Sequence, residues 1–383
     1  MTQFVKADQF FYPYGIKEGG YLEIKEGRFG SWQKDLPAGS EVLDYSGYII
    51  APGLVDTHIH GFAGVDVMDN NIEGTIHTMS EGLLSTGVTS FLPTTLTSSF
   101  EHLLAVSENL GQHYQEATGA KIRGIYFEGP YFTEKYKGAQ NPAYMKDPSL
   151  KEFQAWQEAA GGLINKIALA PERKTAPDFI RTVTQEGVTV ALGHSNATFE
   201  EAKTAVEAGA TVWVHAYNGM RGLTHREVGM VGAMYELPHT TAELITDGHH
   251  VHPQACHILI KQKGYENIAL ITDCMKAGGQ EDGDYMLGEF PVIVENGTAR
   301  LKESGNLAGS ILQLKEGVKN VVEWGLVNAH EAIMMASLNP AKSVGIDHLC
   351  GQIKEGHEAD FIVLDKDLNL EATYLNGQKV YQA

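Results

Sequence analysis

Cysteine is scarce in this chain. The three present, Cys256, Cys274 and Cys350, are odd in number and form no C-x-x-C pair. A disulfide framework is excluded, and the usage points to a reduced, cytoplasmic protein. Cys274 is expected to be a small buried side chain. Long apolar runs are also missing. No stretch of 18 apolar residues occurs, so no transmembrane helix is expected. The opening residues Met1 to Asp8 lack a signal-peptide pattern. Basic residues are few, 29 Lys and Arg against 48 Asp and Glu, for a net charge of -19. Nucleic acid and anionic membranes need a basic surface, so neither is expected as a partner. No internal repeat, low-complexity tract or long linker is found.

What is present suits one large domain, or a large one with a small companion. Hydrophobic residues make up 43% of 383 positions, enough for a substantial core. The two ends are β-rich. Tyr21 to Gly30 alternates around a Lys25-Glu26-Gly27-Arg28 turn, Ala359 to Asp365 reads as a strand, and Ala372 to Val380 reads as a hairpin around Asn376-Gly377. We expect a small β-sandwich domain built from residues 1–52 and 353–383, with a larger domain, 53–352, inserted between them.

The insert alternates apolar runs with amphipathic helices. Strands are expected at 54–58, 88–93, 122–127, 166–170, 188–193, 211–214, 242–246 and 268–272. Capping boxes open helices at Thr198-Phe199-Glu200-Glu201 and at Asn328 with Glu331. Eight βα units point to an α/β fold, a closed (β/α)8 TIM-like barrel, with an open doubly wound sheet as the alternative.

In such a barrel the active site lies at the C-terminal ends of the strands. Here those ends read His58 and His60, then Glu128, His194, His215, Asp247 and Asp273. Residues i and i+2 of a strand share a side, so His58 and His60 can face one point. A lone strand-end carboxylate is usually a cap, and a lone histidine a loop anchor. Four histidines and three carboxylates together instead point to a metal site. His77, His102, His113, His330, His348 and His357 fall on expected helices or loops and need no function. His239 and His257 also read as structural or surface residues, while His225, His249, His250 and His252, in loops after strand ends, stay open.

The motifs Pro52-Gly53-Leu54-Val55-Asp56-Thr57-His58-Ile59-His60-Gly61, Phe127-Glu128-Gly129-Pro130, Gly193-His194-Ser195-Asn196-Ala197, His215-Ala216-Tyr217-Asn218-Gly219-Met220, Thr272-Asp273-Cys274-Met275 and Asn339-Pro340-Ala341 span nearly the whole chain. Together they resemble the metal-dependent amidohydrolase superfamily and, within it, the N-acetylglucosamine-6-phosphate deacetylases. The resemblance implies that Glu128, His194 and His215 hold a principal divalent metal. His58 and His60 would hold a second, with Glu128 bridging. Related hydrolases bridge with a carboxylated lysine, but Lys166, the only lysine of the fourth strand, lies at its wrong end. The donor set suits zinc or iron and does not choose between them. Asp273 would act as general base and acid.

The same resemblance implies an amino-sugar phosphate as substrate and a homodimer. Arg226 would pair with the phosphate. Asn218 and Gly219 would offer donors, His250 would contact the sugar or its acetyl group, Ala139 and Gln140 would close one edge, and Ala308 and Ser310 another. Two positions depart from the pattern: Gln140 stands where relatives can have His, and Gly219 where Ala is common. The implied reaction removes the acetyl group of N-acetyl-D-glucosamine 6-phosphate. The alternatives are another N-acyl amino sugar, a cyclic amide, or a non-catalytic barrel.

Overall fold

The protein, described here from a computed structural model over residues 2–69 and 72–383, is built around eight parallel strands. They are β1 (Leu54–Ile59), β2 (Val88–Thr95), β3 (Ile125–Tyr131), β4 (Ile164–Leu169), β5 (Thr189–Leu192), β6 (Val212–Trp213), β7 (Thr241–Leu244) and β8 (Ile268–Leu270). Each pairs in parallel with the next, from β1–β2 to β7–β8. The ring closes just past β8, where Asp273 N donates to His58 O at 2.9 Å and Ile59 bridges Cys274. Helices cover the outside, which is why these strands are apolar on both faces rather than alternating. Both expected capping boxes are formed, opening helices Phe199–Glu207 and Ala329–Met335.

The pleat decides what reaches the interior. On β3, Phe127 points outward and meets Trp156 of helix Leu150–Ala159, with ring centroids 5.4 Å apart. Phe100 and Tyr131 pack on the same indole at 5.6 and 6.2 Å. Its neighbours Tyr126 and Glu128 therefore face inward. Burial of side chains of this size is worth about 1.5–3 kcal/mol each, and the cluster fixes the strand that carries Glu128.

The termini form one eight-stranded sheet. Its hub is Glu41–Pro52, parallel to Thr2–Tyr12 on one side and antiparallel to Phe361–Leu364 on the other. The sheet curls until Phe29 of strand Arg28–Gln33 reaches Phe361, so its layers enclose a core including Val5, Phe10, Ile50 and Val363. The two layers of the expected sandwich are thus parts of one continuous sheet. Lys121, beside the barrel, bonds Glu358 at 2.8 Å and Asp360 at 2.8 and 2.9 Å, and Arg123 pairs with Glu358, clipping this sheet to the barrel.

One further sheet follows β8, for which no element was expected. Gly283–Leu287, Phe290–Glu295 and Thr298–Leu301 form an antiparallel three-stranded excursion. Its second turn is Asn296-Gly297, with φ of 53° and 77°, the left-handed pair that a tight hairpin requires. Among the described residues, no helix is long and apolar enough to cross a membrane.

Candidate metal centre

Six side chains converge at the C-terminal mouth of the barrel. His58 comes from the end of β1, His60 from just beyond it and Glu128 from β3. His194, His215 and Asp273 follow β5, β6 and β8. They form two clusters, His58–His60–Asp273 and Glu128–His194–His215, each with its ligand atoms within 4.8 Å of one another. Glu128 lies between them. Its Oε1 is 3.2 Å from both His194 Nε2 and His215 Nε2 and 3.4 Å from His58 Nε2. Its Oε2 is 3.3 Å from His60 Nε2 and 2.5 Å from Gln140 Nε2. Asp273 Oδ1 stands 3.1 Å from His60 Nε2 and 3.5 Å from His58 Nε2.

The backbone is strained to bring these groups together. His194, His215 and Asp273 have φ of 45°, 27° and 50°, a region that side chains other than glycine avoid. Neighbours hold them there. Thr133 N donates to His194 O at 3.1 Å, and Ser310 N to Asp273 O at 2.7 Å. Glu172, part of the Leu169-Ala170-Pro171-Glu172 motif but given no role from the sequence, grips the His194 loop by accepting from Ser195 Oγ at 2.7 Å and Asn196 N at 2.6 Å.

The donor atoms fit a cation. His60 Nδ1 is 3.1 Å from Thr94 O, His194 Nδ1 is 2.9 Å from Tyr136 O, and His215 Nδ1 is 3.1 Å from Asn218 O. A carbonyl only accepts, so each Nδ1 carries the proton and each Nε2 presents a lone pair to the cleft. Two such lone pairs, on His194 and His215, face each other at 3.0 Å. The buried Nε2 of His58 has no hydrogen-bond partner. A positive ion between these nitrogens resolves both conflicts.

The charges agree. Burial pushes the Glu128 carboxyl up, but His58, His194 and His215 outweigh it and hold it well below the ordinary range. Burial likewise opposes ionisation of Asp273, yet His58 and His60 lower it to about 2. Burial disfavours a charged His58, but Glu243, Asp273 and Glu128 raise it to about 9. Two buried carboxylates at the cleft, Glu128 and Asp273, call for positive charge.

A third buried carboxylate, Glu243 of β7, lies behind His58 and is absent from the expected site. It bonds His58 Nδ1 through Oε2 at 3.0 Å and pairs through Oε1 with Lys166. Lys166 is wholly buried on β4. It also donates to Thr57 O at 3.2 Å and lies over the Tyr126 ring at 3.7 Å. An amine engaged in this way is unavailable as a bridging ligand. Its signal in the sequence is a charge inside each of two apolar runs, Asn165-Lys166-Ile167 and Ala242-Glu243-Leu244.

Above the cluster is a cavity of 360 Å³. His60, Glu128, His194, His215 and Asp273 form its floor, and Ala139, Gln140, Asn218, Gly219 and His250 line its walls. Gln140 is held at both ends, since Thr97 N donates to its Oε1 at 2.8 Å while its amide donates to Glu128. His250 is oriented by Asp247, whose Oδ2 is 2.6 Å from Nδ1, so Asp247 serves the wall and not the floor. Three expected residues lie off this surface. Arg226 is exposed on the loop after β6. Ala308 is buried behind the wall, and Ser310 spends its hydroxyl on Thr272 O at 2.5 Å. Leu307 and Gly309 face the cavity instead. The backbone turns at Gly309, φ 59°, and the packing beneath this segment decides which of its residues face the cavity. Leu287, from the excursion after β8, completes the wall.

Residues 49–380 match the Amidohydrolase family. The chain is 42% identical to the N-acetylglucosamine-6-phosphate deacetylase of Vibrio furnissii over 96% of its own length and 90% of that protein's. It is 38% identical to an N-acetylgalactosamine-6-phosphate deacetylase of Escherichia coli O157:H7, over 99% of both chains. A solved structure of a mutant N-acetyl-D-glucosamine-6-phosphate deacetylase from Mycobacterium smegmatis, in complex with N-acetyl-D-glucosamine-6-phosphate, aligns over 100% of both chains. Its TM-score is 0.93 and its identity 29%.

Proposed function

The chain belongs to the amidohydrolase family, and from that premise we propose that it hydrolyses the N-acetyl group of N-acetyl-D-glucosamine 6-phosphate, giving glucosamine 6-phosphate and acetate. The observation that carries the reading is the pair of ligand clusters sharing Glu128 at the floor of a cavity of sugar-phosphate size. Relatives and structural neighbours at full length carry out deacetylation in amino-sugar metabolism.

Glu128, His194 and His215 would hold one divalent ion, and His58 and His60 a second, with Glu128 within reach of both groups. Zinc and iron both suit these donors. A bound ion supplies Lewis acidity to the amide carbonyl and lowers the pKa of a water to about 7. The protein's own groups do the rest. Asp273 stays ionised beside His58 and His60, takes the proton of the attacking water, and returns it to the departing amine nitrogen. Gln140 fixes Glu128 and closes one edge with Ala139. Asn218, Gly219 and His250 position the sugar and its acetyl group from the opposite walls.

Among the described residues, none that lines the cavity is a Lys or Arg. The phosphate therefore needs a cation from the rim, and Arg226, exposed on the loop after β6, is the residue we assign. It would come from the same chain or from a second copy in the proposed homodimer.

A second substrate has a specific observation in its favour. The relative matched over 99% of both chains acts on the galactosamine epimer. The experiment is acetate release by the purified, metal-replete protein. It compares N-acetylglucosamine 6-phosphate, N-acetylgalactosamine 6-phosphate and the unphosphorylated sugars. Highest kcat/KM on the glucosamine compound supports the proposal, highest on the galactosamine compound replaces it, and release from neither removes the deacetylase reading.

A further inference from the structure

We propose that Glu243 is a positioning residue for the His58 side of the metal centre: its carboxylate sets the tautomer and ring orientation of His58, and Lys166 holds that carboxylate in place. The four imidazoles of the centre are not anchored alike. His60, His194 and His215 each rest Nδ1 on a backbone carbonyl. His58 does not. Its Nδ1 is 3.0 Å from Glu243 Oε2, and the nearby carbonyl of Thr57 is taken by Lys166.

An acceptor at Nδ1 forces the proton onto that nitrogen and leaves Nε2 bare. The bare Nε2 of His58 then faces Glu128 at 3.4 Å and Asp273 at 3.5 Å, with no partner of its own. Glu243 also accepts from His215 N at 3.3 Å, so one carboxylate touches a residue of each cluster. The Tyr126 ring braces the arrangement, edge-on to His58 with centroids 4.9 Å apart and beneath the Lys166 ammonium.

The position of the ion pair supports a role beyond stability. Lys166 and Glu243 stand on β4 and β7, on different sides of the barrel, and both are wholly buried. Apolar residues of the same volume generally stabilise such a site as well or better. The pair is justified by what it does for His58, which lies at one end of it.

The test uses two double variants that both remove the buried charges, so that neither leaves an ion unpaired. Lys166→Met with Glu243→Gln keeps an acceptor oxygen facing His58. Lys166→Met with Glu243→Leu removes it. The first measurement is the long-range ¹H–¹⁵N histidine spectrum of the metal-free protein, recorded at a pH high enough that the His58 ring is neutral and has a tautomer to report. Wild type and the glutamine variant should show His58 as the Nδ1–H tautomer, and the leucine variant should show a mixture. The second is metal per chain by mass spectrometry, after zinc loading and dialysis against graded chelator. In the leucine variant one ion should leave at roughly 10- to 100-fold lower chelator, the usual effect of losing such a support. The ion at His194 and His215 should stay, and the glutamine variant should match wild type.

The metal measurement rests on the two-ion reading. A wild type that holds one ion sinks that reading, while the spectrum of metal-free protein still decides the role of Glu243. An Nε2–H tautomer of His58 in wild type would overturn the proposal with no variant needed. So would a leucine variant indistinguishable from the glutamine one, or one that loses both ions together with its melting temperature.

Discussion

Asp273→Asn separates proton transfer from everything else this residue does. Asparagine has nearly the same shape and is among the side chains that best tolerate the left-handed backbone, here at φ 50°. The backbone bonds that hold the position, Asp273 N to His58 O at 2.9 Å and Ser310 N to Asp273 O at 2.7 Å, do not involve the side chain. The fold and the Glu128–His194–His215 cluster should therefore be retained. What is lost is a carboxylate that His58 and His60 keep ionised, and an amide cannot accept a proton at neutral pH. The expected fall in kcat is roughly 10²–10⁴, or about 3–5 kcal/mol of barrier. Because Asp273 Oδ1 also lies 3.1 Å from His60 Nε2, the comparison must be made on protein shown by mass spectrometry to carry the wild-type metal content. The assay is continuous acetate release at saturating sugar phosphate. A metal-replete variant with near-normal kcat would refute the assignment and leave Asp273 as a mere neighbour of the histidines.

Three further outcomes are expected. His58→Gln with His60→Asn should lower the metal content from near two ions per chain towards one, while His194 and His215 keep theirs. A metal-saturated wild type that is fully active with a single ion contradicts this. Arg226→Ala should raise KM for the phosphorylated sugar and leave the slow turnover of the unphosphorylated sugar alone; equal losses on both would mark a structural role. Finally, burial pushes the Glu358 carboxyl up, but Lys121 and Arg123 outweigh it and hold it at about 2 against an ordinary 4.5. A depressed carboxyl contributes stability that is complete above pH 4.5 and is lost as pH falls towards 2. Glu358→Gln should remove part of the acid sensitivity of the melting temperature in that window. The effect should be small and weaker in salt, because the pair is partly exposed and worth at most about 1 kcal/mol. A variant whose melting temperature keeps the full wild-type slope between pH 4.5 and 2 would show that this clip between terminal sheet and barrel contributes nothing.

The barrel was legible because most parallel strands announce themselves; the exception in register is the run expected at 122–127, where the barrel strand is Ile125–Tyr131. A strand covered on both faces reads as a short, unbroken apolar run. The run expected at 54–58 is Leu54–Ile59, and that at 268–272 contains Ile268–Leu270. The excursion at 283–301 was missed although it carries an Asn-Gly turn. Its strands are short and half-exposed, and their periodicity is weak beside that of the barrel. The histidines at strand ends were legible for a different reason: ligands must lie at the mouth, and the end of an apolar run marks the mouth.

Consecutive residues made legible the parallel strands and the end of the barrel where His58, His60, Glu128, His194, His215 and Asp273 meet, but not that Asp247 belongs to the wall. These follow from local periodicity and from side-chain chemistry, both written in consecutive residues. Tertiary structure alone decided that Leu307 and Gly309, and not Ala308 and Ser310, face the cavity, that Arg226 stands outside it, and that Glu243 and Lys166 meet beneath His58. Each of these depends on which atoms from distant strands come within about 3 Å, the reach of a hydrogen bond. No pattern within one strand encodes that distance. It is set when the ring closes and opposite-facing side chains of β1, β4 and β7 are forced into the same dry interior.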